Sequence, residues 1–256
     1  TREAAIAAGE NPDEVQVKIA AGSQADKINK QRAATATAEA EQGIEAIGSG
    51  SDIKQEKAVI DIEMPDGPVV AVDHHSSDPH YIPELISALT ITHGSWLLID
   101  LWAKEKTPEA VFADLTWVAY VGKEVPDKYK SAFEVVIGAR DMAVEFLSKS
   151  FTDGKLPMGW EVDMVAREYI VNKGYGDYFT HRLGHSLGSK VHGDAVNLDS
   201  WETYDSRTIM TGLGVTVEPG VYMKDFGMRS EINLFIAETG PYVTSRPQDK
   251  IVLIEG

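Results

Sequence analysis

Val217-Glu218-Pro219-Gly220-Val221-Tyr222 is a short, mostly apolar segment, and Gly227-Met228-Arg229-Ser230-Glu231 follows it after four residues. Both segments are typical of β-strands, and a tight turn centred on Lys224-Asp225 would join them as an antiparallel hairpin. This register places Glu218 directly opposite Glu231. Because like charges that face each other across a ladder repel, the hairpin predicts a cation between the two carboxylates.

A second acid pair can be placed in the same way on an earlier hairpin. Ile99-Asp100-Leu101-Trp102 and Phe112-Ala113-Asp114-Leu115-Thr116 predict two strands, and a turn centred on Thr107-Pro108 sets Asp100 across from Asp114. A metal site explains both acid pairs. The alternative is that these carboxylates are solvated, as most carboxylates of an acidic chain are.

Histidines cluster between the two hairpins. The segment His181-Arg182-Leu183-Gly184-His185-Ser186-Leu187-Gly188, with His192 after it, holds three of the seven histidines within twelve positions. Its glycines allow close approach of backbone and ligand. A lone histidine is more often an ordinary core or surface residue, but three of them beside two acid pairs favour a metal site.

Composition narrows the class of protein further. The chain has 256 residues, 43% of them hydrophobic, and a net charge of −16 from 24 basic and 40 acidic residues. This charge argues against nucleic-acid and membrane-surface partners. With no cysteine, a metal must be held by oxygen and imidazole. No apolar stretch is long enough to span a bilayer and no signal pattern opens the chain, so we expect a cytoplasmic protein.

The remaining sequence predicts an α+β fold built from antiparallel hairpins rather than βαβ units. Apolar periodicity, breakers and charge at segment ends predict helices at Asp13–Ile47, from Asp52 to before Pro65, at Asp127–Ser150 and at Gly159–Lys173. Apolar runs predict strands at Val69–Val72, Ser95–Trp102, Val111–Val121, Gly214–Met223, Met228–Ala237 and Lys250–Ile254.

The series of acidic residues and histidine resembles the metal ligands of the pita-bread metallopeptidases, a family that includes Xaa-Pro aminopeptidases, prolidases and methionine aminopeptidases. The resemblance runs from about Val69 to the C-terminus and implies a pseudo-twofold antiparallel sheet with flanking helices. It implies two divalent ions, manganese, cobalt or zinc, held by Asp100, Asp114, His185, Glu218 and Glu231. In this family pattern, Asp114 and Glu231 bridge the ions, Asp100 completes one, and His185 with Glu218 completes the other.

The resemblance also implies an activity, hydrolysis of the peptide bond that precedes proline by a water that bridges the two ions. Glu218 resembles the carboxylate that takes the proton of this water and passes it to the leaving nitrogen. His80, His181, His192 and Arg229 match residues of the Xaa-Pro peptidase pocket. His80 would stabilise the tetrahedral intermediate, His192 would meet the substrate carbonyl, His181 would line the pocket floor, and Arg229 would steer the substrate or neighbouring carboxylates.

Some features stay open at this stage. Thr116 lies two positions beyond Asp114 on the same strand face, where it either hydrogen-bonds beside the metal ligands or is an ordinary strand threonine. His192 is followed by Gly193-Asp194-Ala195 rather than by Glu-x-Pro, so the wall that recognises proline differs. The loop Asn197–Asp205 is either a rim that selects peptide amino termini or a solvated loop.

We expect residues 1–256 to form one pita-bread catalytic domain, with 1–12 as a linker or leader and without the separate N-terminal domain of many Xaa-Pro peptidases. Peptide is the expected partner, and a homodimer is possible within the family. The alternative function is a catalytically weak or inactive peptide-binding module on the same fold, because fold alone does not fix function.

Overall fold

The structure is a computed structural model that describes residues 61–255. The leader at 1–12, the helix predicted at Asp13–Ile47 and the start of the next predicted helix lie outside these residues. The described residues belong to one compact unit, Val59–Gly256, so that a single domain over 1–256 stays a prediction. The predicted continuation of the second helix to Pro65 is wrong, because Ile62–Glu63 is a strand that pairs with another strand.

Eleven strands and two α-helices follow in chain order among the described residues. They are β1 (Ile62–Glu63), β2 (Val69–Val72), β3 (Trp96–Glu105), β4 (Ala113–Val121), α1 (Asp127–Thr152), α2 (Gly159–Asn172), β5 (Ser186–Leu187), β6 (Gly214–Val217), β7 (Gly220–Tyr222), β8 (Gly227–Arg229), β9 (Ile232–Ala237), β10 (Gly240–Val243) and β11 (Val252–Ile254). Two short 3₁₀ turns lie at Asp73–Ser77 and Gly176–Tyr178.

The first sheet is built on the β3–β4 hairpin. β1 and β2 both pair with β3, and β11 pairs with β4. Alternate residues of β3 face opposite sides: Trp96 and Leu98 enter the main core, whereas Leu97 packs with Val72 and Ala119 in a smaller cluster. β11 runs parallel to β4, which corrects the expectation of antiparallel pairing alone.

The second hairpin is one long ribbon with an interruption. β6 pairs with β9 in a four-stranded sheet ordered β10-β9-β6-β5, and β7 pairs with β8 beyond the break. The predicted strands at Gly214–Met223 and Met228–Ala237 are therefore each split in two. Pro219 has no N–H to donate to a ladder, and Glu218 precedes it at the break.

The two helices cover the sheets. One face of α1 buries Ala132, Val136, Ala139, Ala143 and Leu147, a spacing of three and four residues that places them on one stripe. α2 buries Val162, Ala166 and Ile170 in the same core cluster. Both helices begin and end within two residues of their predicted bounds.

Two buried side-chain amides continue hydrogen bonding along the edge of β4 that faces away from β3, in the part that β11 does not cover. Asn233 Oδ1 accepts from the Asp114 N–H at 3.1 Å, and its Nδ2 donates to the Asp114 carbonyl at 2.5 Å. Gln248 makes the same pair of bonds to Val118, at 2.9 and 2.7 Å. Between them the Glu231 N–H donates to the Thr116 carbonyl at 3.4 Å. These contacts hold the two hairpins side by side.

Candidate metal centre

The first hairpin has a different register from the predicted one. Asp100 pairs with Thr116 and Trp102 pairs with Asp114, so the prediction that Asp100 faces Asp114 is wrong by two residues. The connection is a loop held to another part of the chain, where the Phe112 N–H donates to the Gly188 carbonyl at 3.0 Å. A shift of two preserves the face, and both carboxylates still point to one side.

The second hairpin has the predicted register. Gly220 pairs with Arg229 on one side of the break and Val217 pairs with Ile232 on the other, which leaves Glu218 and Glu231 opposite each other. The Met223 N–H donates to the Phe226 carbonyl at 3.0 Å and closes the tight turn around Lys224-Asp225. The acid pair therefore sits where the backbone ladder is interrupted.

The two hairpins and the histidine segment converge on one cluster. Ligand atoms of Asp114, His185 and Glu231, all buried, lie within 4.8 Å of one another. His185 Nε2 is 3.4 Å from Asp114 Oδ2 and 3.4 Å from Glu218 Oε1. Asp100 shares the same cavity, but its carboxylate is paired with the buried guanidinium of Arg229.

Two buried threonines hold the glutamates of the cluster. Thr116 Oγ1 donates to Glu231 Oε2 at 2.7 Å and accepts from Arg229 Nε at 2.9 Å, which confirms the hydrogen-bonding interpretation of Thr116. Thr216 Oγ1 donates to Glu218 Oε1 at 3.0 Å and accepts from the His185 N–H at 2.9 Å. Sequence reasoning missed Thr216, although its position two residues before Glu218 on the same strand was a usable signal.

The charges of the cluster are not fully compensated by the protein. Burial, followed by the charges of Asp114 and Glu218, holds the pKa of Glu231 well above its usual range. Burial also raises the pKa of Glu218, and it raises that of Asp100 against the opposing effect of Arg229. Two buried carboxylate oxygens, Asp100 Oδ1 and Glu231 Oε1, have no hydrogen-bond partner within residues 61–255.

These observations fit a divalent cation. Buried carboxylates are normally paired, hydrogen-bonded or bound to metal, and carboxylate with imidazole is a donor set suited to manganese, cobalt and zinc. Burial lowers the pKa of His185, but the hydrogen bond to Asp114 and the charge of Glu218 outweigh it and raise the pKa. The imidazole thus compensates only part of the surrounding negative charge.

The cluster lies in a cavity of about 470 Å³. This cavity is lined by every residue that the sequence assigned to the site, namely His80, Asp100, Asp114, His181, His185, His192, Glu218, Arg229 and Glu231. The structure therefore brings all of them together. Apolar side chains complete the lining, among them Leu98, Trp102 and Val191.

His181 belongs to a buried polar network on the cavity wall. Its Nδ1 lies 2.6 Å from the Arg182 carbonyl, so this nitrogen carries the proton, and Nε2 accepts from the Tyr222 hydroxyl at 2.9 Å. The same hydroxyl accepts from Arg229 Nη1 at 3.0 Å. Burial, and then the charge of Arg229, lowers the pKa of His181 to about 3. Sequence reasoning gave Tyr222 no role, although it lies in the ribbon of the acid pair.

His192 and His80 occupy other parts of the cavity. The rings of His192 and His185 meet edge to face at 4.4 Å between centroids, and burial, followed by the charge of His185, lowers the pKa of His192. His80 is exposed on the rim. Just before this rim segment, the Ser76 hydroxyl accepts from the Gly227 N–H at 2.8 Å, which fixes the segment to the second hairpin.

Gly193 stands where the Xaa-Pro peptidase pattern has glutamate, and there is little room for a side chain at this position. A Cβ at this position would lie 2.9 Å from Ser186 Oγ and 3.0 Å from the Ser186 carbonyl, so a glutamate does not fit here without a shift. On the loop Asn197–Asp205, Glu202 lines the cavity and lies 3.4 Å from Arg182 Nη1. This contact supports the interpretation of the loop as part of the rim.

Comparison with known proteins identifies the family. Residues 2–238 match Metallopeptidase family M24. The chain is 32% identical over 176 residues to the Xaa-Pro dipeptidase of Pyrococcus furiosus, covering 67% of this chain and 45% of that protein. It is 33% identical over 187 residues to an uncharacterized peptidase of Bacillus subtilis, covering 72% and 48%. The crystal structure of an X-Pro aminopeptidase from Thermotoga maritima superposes with a TM-score of 0.62 at 29% identity, covering 73% and 49%.

The chain therefore belongs to metallopeptidase family M24, and the described residues have its pita-bread fold. The predicted α+β class and family are confirmed. The chain spans about half the length of the relatives it matches. Within residues 61–255, no helix has the length and apolar character needed to cross a membrane.

Proposed function

We propose that this protein is a metal-dependent Xaa-Pro peptidase that hydrolyses the bond before a proline near the amino end of a peptide. The observation that carries the proposal is the cluster of four carboxylates and one imidazole, in which Asp100 Oδ1 and Glu231 Oε1 have no hydrogen-bond partner in the part of the chain that the structure describes. The Xaa-Pro dipeptidase and X-Pro aminopeptidase among its relatives support the choice of substrate.

The residues present would hold two divalent ions in the family arrangement. Asp114 and Glu231 would bridge them, Asp100 would complete one site, and His185 with Glu218 would complete the other. When bound, such ions polarise the substrate carbonyl and lower the pKa of the attacking water. Manganese, cobalt and zinc all suit these ligands. A homodimer and a cytoplasmic location stay predictions.

The side chains of this protein supply the remaining steps. Glu218 takes a proton from the attacking water and gives it to the leaving nitrogen, which is general acid–base catalysis. His192, neutral at pH 7 because its pKa is lowered, donates its N–H to the substrate carbonyl oxygen. His80 stabilises the tetrahedral intermediate from the rim, and neutral His181 lines the pocket floor.

Arg229 organises the acid cluster rather than reacting. Its guanidinium pairs with Asp100, donates to the Thr116 hydroxyl and donates to the Tyr222 hydroxyl. It therefore fixes one face of the carboxylates and connects them to the pocket floor. In this role it steers neighbouring carboxylates, one of the two functions expected from the sequence.

A non-catalytic peptide-binding module is the second candidate function. The chain departs from the Xaa-Pro pattern after His192, and the steric restriction at Gly193 changes the wall beside the scissile bond. A module of this kind would bind peptide in the same cavity but turn it over slowly or not at all. All five ligand positions nevertheless hold coordinating side chains, which favours the enzyme.

Metal reconstitution tests the two candidates. The purified chain is stripped with a chelator, reloaded with Mn²⁺, Co²⁺ or Zn²⁺, and assayed with an Xaa-Pro dipeptide, a longer Xaa-Pro peptide and matched Xaa-Ala peptides. We expect hydrolysis that depends on metal and on proline. Peptide binding without hydrolysis would favour the binding module, no metal binding would contradict the enzyme, and a loss of both metal and peptide binding would contradict both.

A further inference from the structure

Thr216 occupies the point where the histidine segment meets the second acid hairpin. It lies in β6, two residues before Glu218, and it is fully buried. Its hydroxyl sits between the His185 N–H, at 2.9 Å, and Glu218 Oε1, at 3.0 Å. We infer that Thr216 is a positioning residue that fixes the orientation of the Glu218 carboxylate in the candidate metal centre; this inference rests on the proposed function.

The Thr216 hydroxyl makes two hydrogen bonds, and the direction of both follows from the His185 N–H. A backbone N–H can only donate, so the bond from His185 uses a lone pair of the Thr216 oxygen. The single hydroxyl proton must then be donated to Glu218 Oε1. Oε1 is thereby held on the side of the histidine segment, and Oε2 is the oxygen left for contacts within the cavity.

The other oxygen of Glu218 is available for proton transfer. Among the described residues, no group donates a hydrogen bond to Oε2, and the Glu218 side chain, 15% exposed, lines the cavity. Thr216 therefore leaves the reactive oxygen on the substrate side. Proton transfer needs such placement, because a general base acts only within hydrogen-bond reach of the proton it takes.

The backbone around Thr216 leaves it little freedom to turn. The Thr216 N–H donates to the His185 carbonyl at 2.9 Å. A Cβ at Gly184 would lie 2.1 Å from the Thr216 carbonyl oxygen, so the two segments are in close contact. The β-branched side chain also restricts rotation about χ1. The hydroxyl is thus fixed by contacts on both sides.

Three variants test this inference. Thr216→Val removes the hydroxyl at nearly constant volume, Thr216→Ser keeps it, and Ser186→Ala is the matched control. Ser186 follows His185 and is fully buried, and its hydroxyl has no hydrogen-bond partner among the described residues. Each variant is compared with wild type in metal-loaded kinetics, in metal affinity by calorimetry, and in amide hydrogen exchange at His185.

We expect Thr216→Val to lower kcat by about 10–100-fold, the range typical of groups that orient metal ligands, with KM close to wild type. The His185 amide should exchange faster because it loses its acceptor. Thr216→Ser should restore most of kcat, and Ser186→Ala should change neither quantity. Wild-type kcat in Thr216→Val, or equal losses in all three variants, would overturn the inference.

The outcome also separates this inference from the proposed function. If the wild-type chain binds metal but hydrolyses no Xaa-Pro peptide, the proposed function fails and the positioning role of Thr216 in catalysis fails with it. If wild type is active and Thr216→Val is equally active, only the role of Thr216 is overturned. Unfolding curves for all variants show whether a loss of kcat is a loss of folded protein.

Discussion

The two acid hairpins solve the problem of buried like charges in different ways. On β3–β4 the ladder is continuous, the carboxylates of Asp100 and Asp114 are offset along one face, and Arg229 covers Asp100. On the second ribbon, Glu218 and Glu231 face each other where the ladder is broken. The carboxylate of Asp100 thus has a guanidinium partner, whereas Glu231 and Glu218 accept hydrogen bonds from threonine hydroxyls.

A threonine appears in both hairpins, but its neighbours differ. Thr116 links Glu231 to the permanently charged Arg229, whereas Thr216 links Glu218 to an uncharged backbone N–H. The first arrangement adds positive charge near the acids, and the second only orients one of them. Under the proposed function, the Arg229 side would serve stability and the Thr216 side would serve proton transfer.

The largest expected effect is that of Glu218→Gln on the second hairpin. The amide cannot take up a proton, and general acid–base groups typically contribute about 10²–10⁴-fold. We therefore expect kcat for an Xaa-Pro dipeptide to fall by about that factor, measured with metal-saturated protein. Peptide binding to the variant should persist. A variant with more than a tenth of wild-type kcat would contradict the assignment.

Arg229→Met should break the compensation on the first hairpin. Removal of one partner of a buried ion pair typically costs about 3–5 kcal/mol, because the other charge is left unpaired. We expect a loss of this size in the free energy of unfolding of chelator-treated protein, measured in urea. The double variant Asp100→Asn with Arg229→Met should recover part of it. Equal losses in the single and double variants would show that packing, not charge, sets the cost.

Asn233→Leu tests whether contact between the hairpins positions the cluster. It leaves the N–H and the carbonyl of Asp114 without their partners, at about 1–3 kcal/mol for each buried group. Gln248→Leu removes the equivalent bonds at Val118 and serves as the matched control. Both variants should lose stability, but only Asn233→Leu should weaken metal affinity, as measured by calorimetry. Equal metal affinities would contradict a positioning role for Asn233.

The smallest effect is the pH dependence that His181 adds to stability. Its pKa is about 3 in the folded state and about 6.5 when unfolded. Below pH 6.5 His181 is protonated in the unfolded state but stays neutral in the folded state. The free energy of unfolding therefore falls as the pH falls. Between pH 7 and pH 5 this amounts to about 2 kcal/mol. His181→Gln should flatten that part of the urea-unfolding profile, and an unchanged profile would contradict burial of neutral His181.

Sequence reasoning correctly predicted the elements whose geometry is set by neighbouring residues of the chain. The register of the second ribbon follows from its tight turn at Lys224-Asp225, and the helix bounds follow from periodicity. The register of the first hairpin was not predictable in this way, because its longer loop is also bonded to distant residues, Gly188 and Asp61. The site residues were still assembled correctly, since the error of two residues left every side chain on its face.

Long-range partners explain what sequence reasoning missed. Asn233 binds the backbone of a residue 119 positions away, and Gln248 binds one 130 positions away. Neither asparagine nor glutamine forms part of a local sequence pattern that would predict a backbone partner. The parallel pairing of β11 with β4 likewise depends on a return of the chain from its far end. Thr216 differs, because its local spacing to Glu218 was visible.

The close fit of Gly227 against the 3₁₀ turn before His80 has a consequence for variation in this protein. A Cβ at Gly227 would lie 1.8 Å from the Ser76 carbonyl oxygen, so even a methyl group must displace that turn. The same Cβ would lie 2.8 Å from Tyr222 Cδ1, so the displacement would also reach the side chain whose hydroxyl links His181 to Arg229. Under the proposed function, variation at position 227 should therefore disturb the pocket wall at Tyr222 as well as the rim at His80.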